Sequence, residues 1–209
     1  MSIRDRVIRV YSSKNNQELR ENYDTWASDY EQDMIGDTEY SSPHKTAETL
    51  QRYVPKSARI LDAGAGTGMV GQVLYQQGYR NLVAIDISPE MLNKACQKNV
   101  YTDLSQQVLG EHLDFSPNSF DAIISVGVFT CNHAPSNAFD ELIRITKPEG
   151  YIIFTMRPDF YESSQDFQAK MTGLESSGQW QLIELGEKYY PHPNTNLNTS
   201  LEIWTYQVN

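Results

Sequence analysis

Asp62-Ala63-Gly64-Ala65-Gly66-Thr67-Gly68, with Asp86 at the end of the next apolar run, decides how this chain is read. Residues 58 to 63, Ala-Arg-Ile-Leu-Asp-Ala, have the character of a short buried strand, and helical spacing follows through residue 78. A strand, a tight glycine turn and a helix make a nucleotide cradle. Glycine has no Cβ, so it permits positive φ and close approach of a ligand to the main chain, while a helix N-terminus offers unpaired N–H groups. Asp86 closes the strand expected over 81 to 86, where a carboxylate can accept both hydroxyls of a ribose.

Two cofactor classes use that arrangement. Gly66-Thr67-Gly68-Met69-Val70-Gly71 matches the dinucleotide pattern G-x-G-x-x-G, with Asp86 near the expected distance. Asp62, two residues before Gly64, favours the other class, because a carboxylate beside the turn repels a pyrophosphate and suits a cation. S-adenosylmethionine, with its sulfonium and ammonium groups, is such a cation. At this point the sequence resembles the class I S-adenosylmethionine-dependent methyltransferases, whose first motif is an acidic residue followed by G-x-G-x-G.

The resemblance continues in order. Ala84-Ile85-Asp86-Ile87-Ser88-Pro89-Glu90-Met91-Leu92 resembles the family's second strand, ribose-binding acid and following helix start. Phe120 to Ser125 is similar to its fourth strand, and Glu141 to Tyr151 to the helix and turn before its fifth. Tyr23-Asp24-Thr25-Trp26-Ala27-Ser28-Asp29-Tyr30 resembles the aromatic first helix of the small ubiquinone-biosynthesis-like and Williams-Beuren-region methyltransferase-like group. Roughly residues 20 to 157 are covered in this way, with the ends matching only in general pattern.

Helices are expected at 15–33, 43–53, 68–78, 89–98, 135–146 and near 163–177, and strands at 58–63, 81–86, 104–109, 120–126, 150–157, 179–190 and 199–208. The alternation implies a Rossmann-like, mostly parallel sheet with helices on both faces. The family pattern implies seven strands, with an antiparallel C-terminal edge strand. Residues 1–209 then form one domain, a helical lid over 1–54 ahead of a core over 55–209. The Arg4, Arg6, Arg9 run is expected to be a solvated helix face or a frayed terminus.

Composition sets further expectations. The chain of 209 residues carries 17 Lys plus Arg against 27 Asp plus Glu, a net charge of -10. That balance disfavours nonspecific binding to nucleic acid or anionic membrane. No apolar run is long enough to span a bilayer, and the first six residues lack a secretory apolar stretch. Cys96 and Cys131 alone propose neither a disulfide framework nor a metal site, so a cytoplasmic, metal-free protein is expected, a monomer or homodimer.

The resemblance implies specific roles. Asp62 orients the turn and the methionine ammonium; Gly64, Gly66 and Gly68 line the cofactor; Asp86 and Ile87 hold the ribose end; Met91 lies against the adenine. A backbone N–H near Leu109 serves the adenine ring, because Val108 stands where many relatives carry an Asp. Ser125 and Val126 sit where the methyl group is delivered, and Tyr23 and Trp26 close over the cofactor. Methyl transfer is an in-line displacement, so the protein mainly fixes distance and angle, excludes water and removes a proton where the nucleophile carries one.

After the fourth strand, Gly127-Val128-Phe129-Thr130-Cys131-Asn132-His133-Ala134-Pro135 lacks the Asn/Asp-Pro-Pro-Tyr of amide and exocyclic-amine methyltransferases. A small-molecule acceptor is therefore expected, methylated on oxygen or nitrogen, with S-adenosylhomocysteine as the second product. Tyr30, Tyr40, His133, Arg157 and Tyr161 are the candidate acceptor-binding residues. Tyr30 or His133 is the candidate general base, since His titrates near neutrality and a Tyr beside a cation is acidified. Arg157 is placed to pair with a substrate carboxylate or phosphate. Two other readings stay open, a noncatalytic partner protein that binds S-adenosylmethionine and a nicotinamide-dependent oxidoreductase.

Overall fold

The computed structural model describes residues 3–36, 40–192 and 199–209. Four helices come first: α1 (Ile3–Tyr11), α2 (Asn16–Trp26), α3 (Tyr30–Ile35) and α4 (Ser42–Tyr53). Then β1 (Arg59–Ala63), α5 (Met69–Gln76), β2 (Asn81–Asp86), α6 (Pro89–Gln97) and β3 (Asp103–Gln106) alternate. The chain goes on through β4 (Phe120–Phe129), α7 (Ala138–Ile145), β5 (Thr146–Met156), α8 (Pro158–Ser163) and α9 (Gln165–Ser176). It ends in β6 (Trp180–Leu185) and β7 (Glu202–Val208).

The seven strands form one sheet in the order β3-β2-β1-β4-β5-β7-β6. β1 to β5 pair in parallel, and β7 runs antiparallel to both its neighbours. The C-terminal strand is antiparallel as the sequence implied, but it lies one place in from the edge and leaves β6 outermost. Apolar residues on adjacent positions of each central strand serve opposite faces. Leu61, Ile123 and Ile152 pack into one core cluster with Phe139, Phe154, Phe167 and Trp180, under α7 and α9. Ile60, Ile124 and Ile153 pack into the other, with Leu50 of α4 and Leu74 of α5. Near-continuous apolar strands are what a sheet covered on both faces requires.

Strand order reverses between β1 and β4, which opens a crevice at their C-terminal ends. The N-terminal helices pack around Val10, Leu19 and Trp26. The single helix expected over 15–33 is two, because the chain turns between Trp26 and Tyr30. Asn15 caps α2 through its side chain, accepting from the Glu18 N–H. Arg6 departs from its expectation. It is half-buried and bridges Asp29 and Asp33, at 2.5 Å each, so the Arg run is not wholly solvated. Among the described residues, no helix is long and apolar enough to cross a membrane.

Candidate functional site

β1 hands the chain to a turn in which Gly64, Gly66 and Gly68 take φ of 82°, 53° and 83°. A Cβ on Gly64 would lie 2.3 Å from Val128 Cγ2, so this position needs glycine for space as well as for conformation. At Gly66 a Cβ would meet nothing within 4 Å, which leaves open space over the turn. Gly68 forms the N-cap of α5, with Tyr101 and Ala95 against it.

The turn is fixed from β2. The N–H groups of Gly64 and Ala65 donate to the Ile85 carbonyl at 2.8 and 3.0 Å. Asp86 accepts from Gly66 N–H through Oδ2 at 2.8 Å and from Ser88 N–H through Oδ1 at 2.9 Å. Burial pushes the Asp86 carboxyl up to about 6 against those two bonds. Ser88 in turn donates to Asp24 of α2 at 2.6 Å, which ties the N-terminal helices to the start of α6.

Asp62 lies beneath the turn and is 2% exposed. Its Oδ2 accepts from the Tyr101 hydroxyl at 2.6 Å, while Oδ1 is buried without a partner, as is Oγ1 of Thr67. Burial pushes Asp62 up to about 7, with the Tyr101 bond opposing and the Asp86 charge adding. Two raised carboxyls beside an open glycine turn are a site of unmet negative potential. A ligand bringing a positive group and hydroxyl donors satisfies both, and the residues present therefore fit S-adenosylmethionine.

A cleft enclosing about 720 Å³ of free space, its solvent-filled mouth included, runs from this turn to the end of β4. Of the residues named from sequence, Gly64, Gly66, Asp86, Ile87, Met91 and Leu109 line it, and Tyr23, Tyr30 and His133 close it. Val126 and Val108 line it too. Tyr40 is not in the wall, but its hydroxyl lies 3.6 Å from where a Cβ would stand on Gly127.

Other expected residues lie elsewhere. Ser125 is fully buried and donates to the Ala63 carbonyl at 2.7 Å, bracing β1 against β4. Trp26 packs in the N-terminal cluster and its Nε1–H donates to Asp33 at 2.7 Å. Tyr161 packs on Trp204 with ring centroids 4.9 Å apart, on the α8 side of the sheet. Arg157 is held by Asp159 along one edge of its guanidinium, 3.0 Å at Nε and 2.5 Å at Nη2, so its charge is already paired. Tyr30 is not acidified, because burial and the Asp86 carboxylate push its phenol up.

His133 is tightly specified. Nδ1 lies 2.8 Å from the Cys131 carbonyl oxygen and Nε2 lies 2.8 Å from the Tyr23 hydroxyl. A carbonyl only accepts, so Nδ1 carries the proton and Nε2 accepts from Tyr23. Burial lowers the His133 pKa, which keeps the ring neutral and its Nε2 lone pair available at neutral pH.

A family model described as a methyltransferase domain matches residues 61–154, the stretch from β1 through β5 that carries the turn, Asp86 and the β4 end. Human methyltransferase-like protein 27 is 35% identical over 165 residues, 76% of this chain and 66% of that protein. The chain belongs to the class I S-adenosylmethionine-dependent methyltransferases. Another relative of this methyltransferase chain, the 18S rRNA (guanine-N(7))-methyltransferase of Bos taurus, is 38% identical over 79 residues. That match spans 37% of the chain and 28% of the relative, so the chain covers only part of either curated protein. The structure of magnesium protoporphyrin IX methyltransferase from Synechocystis with bound S-adenosylmethionine superposes with a TM-score of 0.62 at 18% identity. It covers 98% of this methyltransferase chain and 90% of its own.

Tyr101 is the residue that sequence reasoning missed. Its hydroxyl donates to Asp62 and accepts from the Gly71 N–H at 3.2 Å, and a Cβ on Gly71 would stand 2.2 Å from that ring. Gly71 was visible as the last glycine of G-x-G-x-x-G, and its place is set here by an aromatic ring. No motif announces Tyr101 itself, 39 positions from Asp62.

Proposed function

We propose that this protein transfers the methyl group of S-adenosylmethionine to a small-molecule acceptor by in-line displacement. The observation that carries the reading is the pair of raised carboxyls, Asp62 and Asp86, set around the open Gly66 turn. S-adenosylmethionine supplies a methyl group on a sulfonium, already activated toward a nucleophile. In this reading Asp86 accepts the ribose hydroxyls and Ile87 packs beside them. Asp62 balances the methionine ammonium from beneath the turn. Gly64 and Gly66 admit the cofactor to the main chain, Met91 packs on the adenine, and the Leu109 backbone serves its ring in place of an acid. Tyr23 and Tyr30 exclude water from the reacting end, with Tyr40 beside Gly127.

Residues 1–54 act as a helical lid on a single domain, held by the bonds from Asp24 to Ser88 and from Tyr23 to His133. A cytoplasmic setting fits two free cysteines, Cys96 and Cys131. The rRNA methyltransferase likeness raises RNA as a second acceptor class. A net charge of -10, and the absence of Lys and Arg among the described cleft-lining residues, weigh against it.

Replacing Asp86 by Ala tests the reading. S-adenosylhomocysteine affinity should fall about 10-fold or more, the worth of charge-assisted bonds to two hydroxyls, with the circular dichroism spectrum unchanged. Unchanged affinity would remove Asp86 from the binding site and the reading with it.

A further inference from the structure

The reacting end of the cleft has a distinctive chemistry. Tyr23, Tyr30 and His133 bring rings to its wall, and Tyr11 and Tyr40 stand just behind. Tyr23 meets Tyr30 edge-on at 6.5 Å, Tyr11 lies 5.0 Å from His133, and the Tyr40 hydroxyl stands near Gly127. Among the described residues lining the cleft there is no Lys or Arg, and the one carboxylate is Asp86. Arg157, the cation that sequence placed at this mouth, is not among the residues lining the cleft, and the Nε–Nη2 edge of its guanidinium is on Asp159. An anionic acceptor entering here would leave its hydration without gaining a partner, and unpaired buried charge is strongly disfavoured. Flat rings are favoured by the same walls through edge and offset contacts.

His133 adds the second half. Its Nε2 lone pair accepts from the Tyr23 hydroxyl, whose oxygen can still accept a hydrogen bond, and Tyr23 lines the cleft. A base is useful only to a nucleophile that must lose a proton, as a hydroxyl must and an amine with its own lone pair need not.

Resting on the methyl-transfer reading above, we propose that the acceptor is an aromatic molecule without negative charge that reacts through a hydroxyl, its proton leaving through the Tyr23 hydroxyl to His133 Nε2. The acceptor oxygen forms a bond to the methyl carbon as the carbon–sulfur bond breaks, and that bond's electron pair stays on sulfur. The acceptor hydroxyl gives its proton to the Tyr23 oxygen while Tyr23 gives its own to Nε2. His133 later returns a proton to solvent, so the balance is one methyl ether, one thioether and one proton. Tyr23 is here a positioning and relay residue, and His133 the base.

The test compares 2-naphthol with 6-hydroxy-2-naphthoate, the same rings with and without a carboxylate. Each is titrated calorimetrically into the protein saturated with S-adenosylhomocysteine. The naphthol should bind about 30-fold or more tightly than the naphthoate, a modest share of the penalty for burying an unpaired charge. Equal or tighter binding of the naphthoate, or binding of neither, overturns the proposal. Failure of S-adenosylhomocysteine itself to bind would sink the parent reading instead. Tyr23→Phe should lower 2-naphthol turnover about 10-fold or more with S-adenosylhomocysteine affinity held within about 3-fold, and His133→Gln about 100-fold or more. His133→Asn is measured beside it in case one variant fails to fold. Turnover unchanged in a folded variant at either position overturns the relay.

Discussion

Asp62→Asn removes a charge that the fold holds at a disadvantage. The carboxyl is raised from 3.8 to about 7, chiefly by burial. At about 1.4 kcal/mol per unit, that corresponds to about 4 kcal/mol favouring the protonated form in the folded state. The folded protein binds this proton more tightly than the unfolded chain does. Its contribution to stability is therefore full below pH 3.8 and is lost as pH rises to about 7. Linkage places about 2–3 kcal/mol of that loss between about pH 5 and pH 8. The carboxamide of the variant would accept the Tyr101 bond and carry no such penalty. Urea melts at both pH values should show the difference between variant and wild type moving by about 2–3 kcal/mol in favour of the variant at the higher pH. If Asp62 balances the ligand ammonium as proposed, calorimetry should show S-adenosylhomocysteine affinity reduced about 10- to 100-fold, the worth of a charge-assisted contact. A variant that loses more stability at pH 8 than at pH 5, or binds the ligand as wild type does, would rule out a buried, raised Asp62 carboxyl that serves the ligand.

Tyr101→Phe leaves Asp62 with neither oxygen bonded by a side chain and the Gly71 N–H without its acceptor; chemical denaturation should show a loss of about 1–3 kcal/mol, larger at pH 8 than at pH 5. Gly64→Ala forces a Cβ to 2.3 Å from Val128 Cγ2 and should lower the thermal midpoint, whereas Gly66→Ala, facing open space, should cost about 1–2 kcal/mol of backbone strain and act mainly on ligand affinity in calorimetry. Arg6→Ala removes the bridge to Asp29 and Asp33 and should speed proteolysis within residues 11–45, with saturating S-adenosylhomocysteine restoring part of the protection.

The glycine turn and Asp86 were legible because a local string dictates them. The apolar run of β1, three positive φ values and an acid at the end of β2 all fall within 28 residues, 59 to 86. Residues fixed by distant partners were not. Trp26 belongs to an aromatic motif, yet its indole N–H goes to Asp33, a helical turn beyond a break that the periodicity did not mark. Acidifying Tyr30 needs a neighbouring cation, but burial and the Asp86 carboxylate both push its phenol up. Arg157 carried a local warning, since Asp159 two residues on is close enough to clamp it. The expected strand over 104–109 ends at Gln106, and the Gln107 carboxamide turns to Ser105 and to the Asp114 N–H. Alternation gave seven strands but not the order of the last two. That order depends on β7 matching Ile203 and Thr205 against β5, a long-range pairing with no local signature.

The most direct measurement is calorimetric titration of the purified protein with S-adenosylhomocysteine, with NAD as the paired control. S-adenosylhomocysteine should bind with a dissociation constant of order micromolar, about -8 kcal/mol, and NAD should give no heat of binding. Binding of NAD alone, or of neither ligand, would contradict methyl transfer from S-adenosylmethionine.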